Sequence, residues 1–201
     1  KEVYGPTAES VWIGFRNEGA GSKNVKRFII ISSLLSNGTA GLIDLNLVQK
    51  QKILRGGCNF DEQHDYSSFM LNAVPRQGQS LDEVKELLLS QLELIKKGEF
   101  EDWMIEAVIN DIRLSETQQI ENNRDRALKM TFSFILNKKW QDQVNEIAEL
   151  RKITKTEIVK FANENFTNNY VVVKKIKGTD PDVVKVEKPH ITLLNIERNE
   201  Q

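Results

Sequence analysis

Hydrophobic and polar positions change period several times along this chain, and each change marks an element. Ser10-Val-Trp-Ile-Gly-Phe-Arg16 alternates as a half-buried strand does, with Gly14 leaving room for another backbone. Residues 1–9 read as a loop around Gly5-Pro6. After the Gly19-Ala-Gly21 turn, Val25, Phe28, Ile29 and Leu35 predict a helix from Ser22 that ends at Asn37-Gly38. A second helix is predicted over about 42–54, from Leu42, Leu45, Val48 and Ile53 on successive turns. Arg55 to Phe60 and Tyr66 to Val74 read as two strands.

The second half is mostly helical. Ser80-Leu-Asp-Glu83 has the spacing of a capping box, and Val84, Leu87, Leu88, Gln91, Leu92 and Ile95 continue at helical intervals until Gly98. A long helical region is predicted from Glu101 to Leu136, broken near Asn122-Asn123, with a short helix over Val144 to Leu150. Thr154-Lys-Thr-Glu157 is another capping box, and Ile158, Phe161, Ala162, Asn165 and Phe166 give its helix one buried face. Asn168-Asn169 turns the chain into a β-branched strand from Tyr170 to Ile176. Beyond Gly178 the periodicity is lost, and Asp180-Pro181 and Lys188-Pro189 mark a linker.

This order predicts an α+β fold in two layers, with helices on one face of a mostly antiparallel sheet. Residues 1–178 are expected to form one domain and 179–201 a linker. The start at Lys1, without an initiating methionine, reads as an internal segment whose domain is truncated at its N-terminus. There is no regular β-α-β alternation and no glycine-rich turn after a strand, so no dinucleotide or ATP site is expected.

Composition narrows the partners. Charged residues make up 28% and hydrophobic residues 39% of the 201 positions, as in a globular domain. The net charge of -1 supplies no single-sign field to hold a nucleic-acid backbone. No apolar run is long enough to span a membrane: Phe28-Ile-Ile-Ile31 stops at Ser32-Ser33. Lys138-Lys139 and Lys174-Lys175 read as solvated charge.

Candidate chemistry is sparse. Cys58 is the only cysteine, so neither a disulfide nor a thiolate zinc cluster is available, and it reads as a small, partly buried thiol. His64 lies in Asp61-Glu-Gln-His-Asp65, read as a solvated hairpin tip, because consecutive residues around a turn rarely converge on a metal. His190, beside Pro189, reads as an exposed linker residue. Trp12, Trp103 and Trp140 each sit among apolar residues and are expected in the core. Asp102, Glu106, Asp111 and Glu116 read as solvated helix charge, with Arg124, Arg126 and Lys129 as the basic counterpart.

The capped helix and strand of 154–178, followed by Lys188-Pro-His-Ile-Thr192, resemble the close of a repeat and the linker in pitrilysin/insulinase-type zinc peptidases. Residues 34–54 resemble the segment before the central hairpin of such a repeat, and Gln79-Ser-Leu-Asp-Glu-Val-Lys-Glu-Leu-Leu-Leu89 the helix after it. The resemblance covers about Ser10 to Asn199 through several diffuse patterns in the right order. It implies one α+β repeat among the four that enclose a chamber in larger members.

These enzymes hold zinc with H-x-x-E-H on a helix plus a later glutamate. The two histidines here, His64 and His190, do not form that motif. The resemblance therefore implies no catalytic, cofactor-binding or metal-binding residue in this chain, with zinc expected in the catalytic repeat of a parent protein. An arginine and a tyrosine contact substrate in the C-terminal halves of the family. Val48 and Arg55 stand at those positions, so the pair is not preserved. That departure implies the second repeat, with neighbouring repeats and the parent's peptide substrate as partners. Two alternatives stay open: a repeat of a catalytically inactive partner or core subunit, and a stand-alone protein-binding module.

Overall fold

The computed structural model describes residues 1–180 and 182. Five strands form a sheet in the order β1-β5-β2-β4-β3. They are β1 (Glu2–Gly5), β2 (Ser10–Glu18), β3 (Arg55–Asp61), β4 (Tyr66–Val74) and β5 (Val171–Lys177). All pairings are antiparallel except β1 with β5. The helices are α1 (Val25–Leu35), α2 (Leu81–Lys97), α3 (Trp103–Glu121), α4 (Asn123–Ile135), α5 (Trp140–Val144), α6 (Glu146–Leu150) and α7 (Lys155–Asn165).

Alternation in the strands fixes which face is covered. Val11, Ile13 and Phe15 of β2 and Phe69, Leu71 and Ala73 of β4 are buried, and α1, α2 and α7 lie over that side. The core is knit by aromatic contacts: Phe69 tilted against Phe166 at 4.7 Å, Phe28 edge-on to Phe161 at 4.8 Å, and Phe28 stacked on Phe60 at 5.2 Å between ring centroids. The two-layer α+β architecture is the one the sequence predicts.

Helix ends follow local chemistry. Thr154 and Glu157 close the full capping box: Glu157 N–H donates to Thr154 Oγ1 at 3.3 Å, and Thr154 N–H donates to Glu157 Oε2 at 2.9 Å. Only half of the Ser80 box forms. Ser80 Oγ accepts from Glu83 N–H at 3.1 Å, but the Glu83 carboxylate instead takes Gln79 Nε2–H at 3.0 Å. Gly98 ends α2 at φ +71°, a left-handed turn that suits a residue without a Cβ. Asn122 caps the predicted break, its Oδ1 accepting from Arg124 N–H at 2.9 Å.

Three predicted elements differ. Residues 1–9 are not all loop, because Glu2–Gly5 pairs in parallel with β5. The helix predicted over 42–54 shrinks to a π-helical turn, Asp44–Val48, and Gln51 at φ +51° ends the helical backbone. The short helix over Val144 to Leu150 is two, α5 and α6, meeting at Asn145. Residues 183–201, and with them most of the predicted linker and His190, lie outside the described residues.

Candidate functional site

Among the described residues no helix covers one face of the sheet, and the strand period that buries Val11, Ile13 and Phe15 places Trp12, Gly14 and Arg16 on it. Register brings Met70 and Val171 on either side of Gly14, and Asn72 and Val173 on either side of Trp12. A Cβ on Gly14 would meet nothing within 4 Å, so the expected close approach of another backbone is not present and the floor there is open. The Arg16 guanidinium stacks over Tyr66, 3.6 Å from the ring centroid. Gly14, Arg16, Tyr66, Met70 and Val171 line a shallow groove of ≈ 670 Å³.

Trp12 corrects an expectation: it is 43% exposed, with Nε1–H donating to Ser10 Oγ at 3.2 Å. Trp103 and Trp140 are also exposed, on α3 and α5. Apolar neighbours in sequence did not put them in the core, because strand and helix periods turn them to the opposite side.

The titratable candidates disperse. His64 Nδ1 lies 2.7 Å from Asp65 Oδ1 at the exposed β3–β4 turn. Among the described residues, no group of three or more His, Cys, Asp or Glu side chains is arranged to hold a metal. Cys58 packs against the core, and burial pushes its thiol well above the ordinary range, which disfavours the nucleophilic thiolate. Val48 is partly buried at the end of the π-helical turn, while Arg55 opens edge strand β3 opposite Val74. Asp102 pairs with Lys155 at 2.7 Å, whereas Glu106 and Asp111 are exposed on α3.

Several charges expected to be solvated are partly enclosed. Lys138 pairs with Glu62 of the hairpin turn, and Lys129 with Glu116 at 2.5 Å. No sequence signal marked the Glu62–Lys138 pairing, which joins residues 76 apart in the chain, whereas Glu116 and Lys129 were read as counterpart charges.

A buried anchor was also missed. Asp44 Oδ2 accepts from the N–H groups of Asn37 at 2.9 Å, Gly38 at 2.9 Å and Gly41 at 3.2 Å, while its Oδ1 accepts from Ser36 Oγ at 3.1 Å. The carboxylate thus folds the 36–41 loop around itself. Its signal is faint: one acid among apolar residues just after a glycine turn.

Neither a family sequence model nor a curated protein matches the chain. Its likeness to known proteins lies in three dimensions. A protease from Helicobacter pylori superposes with TM-score 0.81 at 18% identity, over 87% of this chain and 43% of that one. An inactive peptidase domain assigned to a zinc protease from Bordetella parapertussis gives TM-score 0.77 at 15% identity, over 88% and 97% of the two chains. A chain of complex III from Candida albicans gives TM-score 0.71 at 10% identity, over 87% and 45%. The chain has the fold of inactive zinc-protease domains, and spans less than half the length of the Helicobacter protein.

Proposed function

We propose that this chain is a non-catalytic structural repeat of a larger zinc-dependent endopeptidase, the second repeat, helping to enclose its peptide-binding chamber. The observation that carries the reading is the likeness to an inactive peptidase domain over nearly the full length of both chains. The sequence lacks H-x-x-E-H, in keeping with a repeat that supplies shape while another holds zinc. The zinc, when bound there, would activate water for peptide hydrolysis.

In this reading residues 1–178 are the repeat and 179–201 lead towards the next one. The uncovered sheet face around Trp12 and Met70 forms part of the chamber wall. Exposed Met130, Phe134 and Ile135 on α4 form a surface for the neighbouring repeat, which the unmatched remainder of the Helicobacter protease chain makes room for. The parent's peptide substrate would meet the wall without any catalytic group from this chain.

The test begins with the reading frame that contains residues 1–201. An H-x-x-E-H motif with a distant glutamate ahead of Lys1 is expected. Deleting residues 1–178 from that full-length protein should abolish chelator-sensitive peptide cleavage, and undiminished cleavage would count against an enclosing role. The complex III likeness favours a second reading, a repeat of a catalytically inactive partner or core subunit. A reading frame without any inverted zinc motif would select it.

A further inference from the structure

Five charged side chains from five different parts of the fold line a cleft of ≈ 500 Å³ beside α4. Glu62 comes from the β3–β4 turn, Glu116 from α3, Lys129 from α4, Lys138 from the turn after it, and Glu146 from α6. Lys129 is taken by Glu116 at 2.5 Å, and Lys138 by Glu62 Oε2. Both lysines are thereby used, and Glu146 has no ion-pair partner among the described residues. Burial raises its carboxyl above the ordinary range, opposed by the attraction of Lys138.

Two more polar atoms are left over. Among the described residues, Glu62 Oε1 is buried without a hydrogen-bond partner, and so is Ser133 Oγ, on a residue only 6% exposed. Buried polar atoms are ordinarily paired, and an unpaired one costs free energy. Asp125 adds a further acid to the lining, so four acids face two lysines. Leu128, Phe132 and Leu136 supply an apolar wall beside them.

A guest that would satisfy these groups is cationic, carries several donors and has an apolar stem. A metal ion suits the cleft poorly, since no three ligating side chains are arranged for one among the described residues. A guanidinium matches better, because its planar fork presents five donors to several acceptors at once. We propose that this cleft binds an arginine side chain of a polypeptide segment, with the guanidinium held by Glu146, Glu62 and Ser133 and the methylenes along Leu128 and Phe132. The site is independent of whether the parent protein is a peptidase.

The probe is N-acetyl-arginine amide, titrated into the 201-residue chain at neutral pH and low salt and followed by amide chemical shifts. Saturable binding with a Kd of about 1–10 mM is expected, as for one charged, hydrogen-bonded side chain. The neutral isostere N-acetyl-citrulline amide, and the free polycation spermidine, should each bind at least about tenfold more weakly. Glu146→Gln should weaken the arginine probe about tenfold and Ser133→Ala about threefold, with no fall in melting temperature. Absence of saturation by about 50 mM would mean that water alone fills the cleft, and would overturn the proposal. So would citrulline binding as well as arginine, spermidine binding more tightly, or both variants binding like the parent chain.

Discussion

Helices α1 and α4 are of similar length, 11 and 13 residues, and both are rich in apolar side chains, yet they meet opposite fates. Six residues of α1 are buried, whereas in α4 only Ser133 is. Helix α1 lies on the sheet across β3, while α4 leans chiefly on α3 and α5. Burial is thus set by what a helix is packed against, and apolar composition states only what it is able to bury. In the proposed function such a helix, apolar on several sides and still open to solvent, is half of an interface. In the proposed assembly the neighbouring repeat supplies the other half.

The widest separation between the two regions should come from phenylalanines. Phe69→Ala, at the centre of the aromatic cluster, is expected to cost about 3–5 kcal/mol in denaturant unfolding. Phe134→Ala, at 86% exposure, should fall within about 0.5 kcal/mol. Equal costs would erase the distinction. Next comes Asp44→Ala, which strands three backbone donors and a hydroxyl around the 36–41 loop. A loss of about 2–3 kcal/mol is expected, with faster amide exchange at Asn37, Gly38 and Gly41. Thr154→Ala removes one side of the closed capping box and should cost about 1 kcal/mol.

Acid titration sharpens the comparison through sign. The Thr154 backbone N–H, then its hydroxyl and Arg27, hold the Glu157 carboxyl below its ordinary range. Its contribution is therefore full above the ordinary carboxylate range and lost as pH falls through the depressed value. Glu146 is shifted up by burial, so its penalty is present near neutrality and relieved as pH falls through the raised value. Glu157→Gln should lower the unfolding midpoint at about pH 7 and Glu146→Gln should raise it, with both differences shrinking towards about pH 3. Two shifts of the same sign at neutral pH would show that the two carboxyls do not differ in this way.

Much of the core was legible because its signals are local. The Thr154 box, Gly98 and the Asn122 break act over a few residues, and the alternation in β2 and β4 carries its own periodicity. What sequence left out depends on distant partners. Glu2–Gly5 becomes a strand only because β5, some 170 residues on, offers its edge. The helix expected to run on to about 54 gives way because Asp44 is drawn into the 36–41 loop and Gln51 turns left-handed. Glu62 and Lys138, each read as solvated charge, meet across the fold. The candidate cleft is assembled from such pairs, so no spacing along the chain announces it.

Metal content of the full-length protein tests the central claim most directly. Zinc per polypeptide is counted for the product of the whole reading frame containing residues 1–201, and cleavage of a quenched fluorescent peptide is followed before and after chelation. The account predicts one zinc per polypeptide, held outside residues 1–201, with cleavage lost on chelation and restored by zinc. A full-length protein without zinc, or one whose zinc is bound by this chain, would contradict it.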